Sequence, residues 1–291
     1  MNHILVPIGS KENASNTLQY AIDFAKEIGA KVFVFRAYKV LSKAGTFINI
    51  NDILERETNL YIQTMISSVA TKGVDVKMIS AKGGTVESIN SVHEELGIDL
   101  IVVGPRSNSI KEEVFLGSTS GSIVKQTEIP VLIVPEHYKF SPFKVALTAF
   151  KSGILEQQDV LTPLQEIKSL FKTKINLLLV KTPEYKEEDL VVDASLKALQ
   201  NTFSTSENVT TFQGVLEHFQ SNNPDLLCVG MTAPKQEKWV YINKADLPNC
   251  CIMSIGAAFD WFSGIKKQPS KFSRKFHLAW LERFAREPIR M

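Results

Sequence analysis

Short apolar runs alternate with longer stretches of helical periodicity along most of this chain. Residues 3–8, His-Ile-Leu-Val-Pro-Ile, read as a buried strand. Over 13–29, Ala14, Leu18, Ala21, Ala25 and Ile28 recur at steps of three and four, on one face of a helix that Gly29 is placed to end. A strand over 32–35 follows, then a helix over 52–70 with Ile53, Leu60, Met65 and Val69 among its apolar positions. The pattern continues as a strand over 74–79, a helix over 86–96, a strand over 99–103, a helix over 118–126 and a strand over 131–134. Such alternation predicts a parallel sheet covered by helices on both faces. Ligands of such sheets bind beyond the carboxyl ends of the strands, where Gly9 and Gly104 fall.

Residues 137–143, with Pro142 and the aromatics Tyr138, Phe140 and Phe143, read as a linker, after which the pattern repeats. Strands are expected over 145–149, 175–180 and 225–229, an extended segment over 209–212, and helices over 155–171, 193–203 and 215–220. Residue identity between the halves is low, but one echo stands out. Ile98-Asp99-Leu100-Ile101-Val102-Val103-Gly104 is matched by Pro224-Asp225-Leu226-Leu227-Cys228-Val229-Gly230. The expected fold is therefore α/β, with two Rossmann-like, mostly parallel sheets in tandem and a C-terminal helical tail.

Composition adds little until it is divided along the chain. The 291 residues are sufficient for roughly two domains, and 44% hydrophobic with 22% charged residues is ordinary for a globular protein. A net charge of +2 gives no global attraction to nucleic acid or membranes, and no nucleic-acid partner is expected. From residue 230 onward, however, 11 Lys+Arg face 5 Asp+Glu, whereas the first 229 residues carry 22 against 26. A neutral-to-acidic body thus ends in a basic tail, which points to a local contact or a separate origin. Cys228, Cys250 and Cys251 fit no disulfide framework, and Cys228 in its apolar run reads as a small core residue. The histidines lack metal-ligand spacing, so no metal is expected. Neither a signal peptide nor a membrane span is apparent, which makes the cytoplasm the expected location.

The candidate chemistry lies at 100–119, where an apolar strand runs into Gly104, crosses a polar loop, and reaches Gly117-Ser118 at a helix start. Glycine lets backbone approach a ligand closely, and free amides at a helix start favour an anion. A tight connection that binds nothing has the same glycines. The spacing resembles the nucleotide loop of the universal stress protein family, Gly-x2-Gly-x9-Gly-Ser/Thr, with Ser107 in place of the second glycine. That resemblance covers about residues 1–230. It implies ATP or AMP as ligand, with Gly104, Gly117 and Ser118 at the phosphates, Arg106 as an added charge, and Pro7 at the first-strand turn. Gly9 departs from the Asp usual in ATP-binding members, and a purely structural role is the other reading.

Beyond Gly230 the resemblance changes. Pro234-Lys235-Gln236-Glu237-Lys238-Trp239, then Ile255-Gly256-Ala257-Ala258-Phe259-Asp260, Gly264, Trp280-Leu281 and Glu287-Pro288, resemble the WecG/TagA/CpsF glycosyltransferases. Lys267-Gln268-Pro269 and Ala279 depart from that pattern. The resemblance implies a remnant of a nucleotide-sugar pocket at Lys235, Gln236, Glu237 and Asp260. Pro234 and Glu237 also suit an ordinary helix start. Nothing in residues 1–229 resembles the transferases' catalytic half, so no catalytic residue is assigned.

Three segments follow: a stress-protein-like domain at 1–137, a partial one at 143–230, and a transferase-like segment at 230–291. The last is expected to complete the second sheet, with a helix over 236–243 and a returning strand over 251–255. Pairing of the two domains through their last strands, or a homodimer, is the expected association. Phe272, Phe276, Trp280 and Phe284, four apart and flanked by basic residues, could pack on their own domain or lie on an anionic membrane. The expected function is stress response by nucleotide binding or structure. The alternatives are a glycosyltransferase using a UDP-amino sugar and a recombination product without selected function.

Overall fold

A computed structural model of the chain describes residues 1–9, 14–39, 50–104, 117–127, 129–150, 162–180, 207–210, 212–230 and 250–254. The first half runs β1 (His3–Pro7), α1 (Ala14–Ile28), β2 (Lys31–Tyr38), α2 (Ile50–Ser67), β3 (Val76–Lys82), α3 (Thr85–Leu96), β4 (Leu100–Val103), α4 (Gly117–Gln126) and β5 (Val131–Ile133). The second half runs β6 (Val145–Phe150), α5 (Thr162–Phe171), β7 (Lys174–Val180), β8 (Glu207–Thr210), α6 (Phe212–Asn222), β9 (Leu226–Gly230) and β10 (Cys251–Ser254). The helices expected over 193–203 and 236–243, and the aromatic stripe over 270–287, lie outside the described residues.

The ten strands among the described residues join one sheet, in the order β3-β2-β1-β4-β5-β10-β9-β6-β7-β8. This corrects the expectation of two sheets. Within each half the pairing is parallel, and the halves meet where β5 and β10 run antiparallel, Ile133 opposite Ile252 and Val131 opposite Ser254. The physical reason is that a free edge strand presents a row of unpaired amides and carbonyls. Two such short edges satisfy each other. β10 also pairs in parallel with β9, Cys251 opposite Leu226.

The sequence echo at Asp99 and Asp225 is a repeated fastening. The Asp99 carboxylate accepts from the amides of Asn2 and His3 at 2.6 and 2.9 Å, holding the start of β1. That of Asp225 accepts from the amides of Lys144 and Val145 at 2.8 and 3.0 Å, holding the start of β6. The strand registers agree as well, with Ile4 opposite Leu100 and Ala146 opposite Leu226.

Side chains alternate across the strands into two apolar layers, each continuous from one half to the other. One contains Ile4, Val6, Val34, Leu100, Leu132, Ala146, Leu226 and Cys251 beneath α1 and α5. The opposite layer contains Leu5, Phe35, Ile101, Ile133, Leu147, Leu227 and Ile252 beneath α3, α4 and α6. The helical segment over 50–70 keeps only part of its expected face: Met65 and Val69 pack on the core, but Ile53 and Leu60 are exposed while Thr58 and Ile62 are buried. Leu60 and Met78 of the edge strand β3 line a shallow groove of about 400 Å³ together with Asp52, Glu55, Arg56, Asn59 and Gln63.

The linker packs its aromatics where the halves join. Phe140 and Phe143 meet Phe24 of α1 and Phe171 of α5 at ring separations of 5.5–6.3 Å. Tyr20 stands beside them, and its hydroxyl accepts from the Cys251 thiol at 3.1 Å. All three cysteines are buried and free, Cys228 in the core as its apolar run implies. No helix among the described residues is long and apolar enough to cross a membrane.

Candidate functional site

The order β3-β2-β1-β4-β5 reverses direction between β1 and β4, and that reversal opens a crevice at their carboxyl ends. Helices α1 and α2 cover one face and α3 and α4 the other. Beyond β1, the Ile8 amide donates to the Phe35 carbonyl at 2.9 Å, carrying the pairing one residue past Pro7. The Gly9 carbonyl then accepts from the Tyr61 hydroxyl of α2 at 2.6 Å. Among the described residues, a Cβ at Gly9 would meet nothing within 4 Å, which leaves space there.

Beyond β4, Gly104 is held from two sides. Ser120, in the first turn of α4, donates from its hydroxyl to the Gly104 carbonyl at 3.2 Å. A Cβ on Gly104 would lie 2.6 Å from Oγ1 of Thr17, a buried residue of α1. The glycine is therefore demanded by packing against α1, whatever ligand approaches it. Gly104→Ala will lower stability by about 1–3 kcal/mol, the usual range for overpacking. Adding Thr17→Ala will recover most of that loss, as read from urea midpoints. Full stability in the single variant, or no recovery in the double, would show that this contact is not the constraint.

The structure thus brings Pro7, Gly104 and the start of α4 at Gly117-Ser118 to the same end of the sheet. The side chain of Ser118, and all of Arg106 and Ser107, lie outside the described residues, as do Lys235, Gln236, Glu237 and Asp260. Sequence reasoning passes over Thr17, Ser120, Tyr61 and Arg36. Only Arg36 has a visible signal, being the one charged residue within the run Val-Phe-Val-Phe-Arg-Ala-Tyr. Its guanidinium carbon lies 3.8 Å from the centre of the Tyr61 ring. Among the described residues no group of three or more His, Cys, Asp or Glu side chains is arranged to hold a metal ion.

This is an α/β protein with one mostly parallel sheet, a strand switch point between β1 and β4, and the start of α4 at the same end of the sheet. The universal stress protein family matches residues 1–135, and the Glycosyl transferase WecG/TagA/CpsF family matches residues 194–291. Universal stress protein YxiE of Bacillus subtilis is 30% identical over 145 residues, covering 46% of this chain and 98% of that protein. Through its first 135 residues the chain belongs to the universal stress protein family.

Universal stress protein G of Shigella flexneri is 33% identical over 81 residues, 28% of this chain and 56% of that protein, so only about half of that relative is spanned. An N-acetylglucosaminyldiphosphoundecaprenol N-acetyl-beta-D-mannosaminyltransferase of Staphylococcus aureus is 30% identical over 69 residues, 24% of this chain and 27% of that protein. A universal stress protein from Archaeoglobus fulgidus shares the fold, with a TM-score of 0.65 at 17% identity over 88% of this chain and 98% of that one. The transferase match begins at 194 rather than at 230, so β8, α6, β9 and β10 all fall inside it.

Proposed function

We propose that the chain is a nucleotide-binding stress-response protein that acts by binding rather than turnover, with ATP or AMP in the crevice beyond β1 and β4. The observation that carries this reading is the convergence of Gly104 and the first turn of α4 beside the open space at Gly9. Amides at Gly117 and Ser118, standing at a helix start, are suited to phosphate oxygens. Arg106 would add charge from the loop, and Pro7 would set the direction of the chain leaving β1. In this reading the second half is a stress-protein-like partner fused to the first. The antiparallel pairing of β5 with β10 takes the place of an association between separate chains, and the protein works in the cytoplasm.

Titration calorimetry with ATP and AMP tests the proposal, together with mass spectrometry of small molecules that co-purify. Micromolar affinity is expected. Millimolar or absent binding would leave the structural role alone.

The family match over 194–291 favours a second reading, in which Lys235, Gln236, Glu237 and Asp260 keep affinity for a nucleotide-sugar. Transfer also needs a positioned base and an acceptor site. The relatives' remaining three quarters have no counterpart in this match. Turnover of a UDP-amino sugar onto a lipid acceptor would establish the enzyme reading against the first.

A further inference from the structure

Arg36 stands near the carboxyl end of β2, on the side of Gly9 away from β4. Its guanidinium carbon lies over Tyr61, 3.8 Å from the ring centre, and Nη1 is shielded from solvent without a hydrogen-bond partner. No ion pair joins Arg36 to any described carboxylate. The hydroxyl of the same Tyr61 donates to the Gly9 carbonyl, which ties this contact to the end of β1. On the first turn of α1, next to the Thr17 that touches Gly104, the Asn16 amide nitrogen is likewise shielded and without a partner.

A desolvated guanidinium N–H left unpaired is costly, and an ion pair inside the fold is the usual remedy. Here the remedy is missing while the side chain is already oriented. The contact with Tyr61 holds the guanidinium in place, and a planar fork matches the paired oxygens of a carboxylate or phosphate. Gly9 contributes no side chain that could fill the adjoining space.

We propose that the crevice carries a second anion subsite, at Arg36, which takes a carboxylate or phosphate group. Strands β2 and β4 flank β1, so their ends lie about 10 Å apart at the usual interstrand spacing. A ligand filling both ends is therefore acidic at both, like a nucleotide with an acidic base. That two-ended ligand rests on the nucleotide reading above; the Arg36 subsite does not.

The test uses the full chain with ¹⁵N-labelled arginine side chains. Inorganic phosphate and citrate are titrated separately, which distinguishes the two oxyanion chemistries. A saturable shift of the Arg36 guanidinium signal is expected with at least one of them, identified by its loss in Arg36→Gln. Arg36→Lys, which keeps the charge and drops the fork, should bind about tenfold more weakly. Circular dichroism checks that both variants fold. In parallel, calorimetry compares orotidine 5′-monophosphate with UMP, and a preference of about tenfold for the acidic base is expected, abolished in Arg36→Gln.

An Arg36 signal that ignores both anions overturns the subsite, even if UMP or AMP binds. Anion shifts at Arg36 without any nucleotide binding retain the subsite and remove the nucleotide reading. An orotidine preference that persists in Arg36→Gln places the acidic group elsewhere and overturns the assignment.

Discussion

Replacing Phe24 with alanine will destabilise the whole chain by about 3–5 kcal/mol, the range for truncating a fully buried aromatic. Phe24 has no exposed surface, and its ring meets Phe140, Phe143 and Phe171 at 5.5, 6.1 and 5.8 Å. Those partners come from the linker and from α5, so the cavity would open between the halves rather than inside one of them. Total stabilities of about 5–15 kcal/mol make such a loss a large fraction of the whole. Because both apolar layers and the sheet run unbroken across the junction, the effect should reach β2 and β7 alike. Urea unfolding by circular dichroism, with amide exchange read in those two strands, measures this. If β2 lost protection while β7 kept its own, the cluster would belong to the first half alone and the halves would fold separately.

Much of this architecture is legible in the residues because strands buried on both faces are continuous apolar runs. Leu100-Ile101-Val102-Val103 and Leu226-Leu227-Cys228 could hardly be anything else, and the returning strand at Cys251–Ser254 lies where the order of elements puts it. The repeat of Asp99 at Asp225 is visible as letters, but what those letters do needs coordinates. Each carboxylate reaches across to the first amides of the neighbouring strand, a contact about eighty or more residues away in sequence. Register between β5 and β10 has no local signature either. Strands this short carry too few side chains to announce a partner, which is why one sheet reads as two. In α2 a polar residue, Thr58, occupies an inward position while Ile53 and Leu60 face out, and this pulls the apparent stripe off the real one. Gly104 is recognisable as a glycine that matters. Thr17, which excludes a side chain there, sits 87 positions earlier and is found only by packing.

Alkali will unfold this protein through its junction. Thiols ordinarily titrate near 9.0, but burial pushes Cys228 and Cys251 up to about 12, and burial raises Cys250 well above its ordinary value too. Burial also raises Tyr20 well above 10.0, the charge of Cys251 acting in the same direction, and it takes Tyr138 to about 12. Below pH 9.0 the thiols are protonated whether the chain is folded or not, and their contribution is fully present. As pH rises past that point the unfolded chain releases protons that the folded chain still holds. Stability therefore falls with pH until the folded thiols themselves ionise, near 12 for Cys228 and Cys251. Each such group contributes a slope of about 1.4 kcal/mol per pH unit, so three thiols together give about 4. Set against a stability of about 5–15 kcal/mol, that slope is enough to unfold the chain between about pH 10 and 12. Urea midpoints taken from pH 8 to 11 should fall steeply above the thiol range. The Cys228→Ala/Cys250→Ala/Cys251→Ala variant should keep only the shallower decline due to Tyr20 and Tyr138, whatever its stability at neutral pH. A flat profile in the unaltered protein, or an equal slope in the variant, would mean that these thiols are not held protonated by the fold. Tyr20 on α1, Tyr138 in the linker and Cys251 on β10 meet where the halves join, so their ionisation acts on the same contact that Phe24 secures. Alkali and the Phe24 truncation should therefore be less than additive, since a junction already loosened by one has less left for the other to remove.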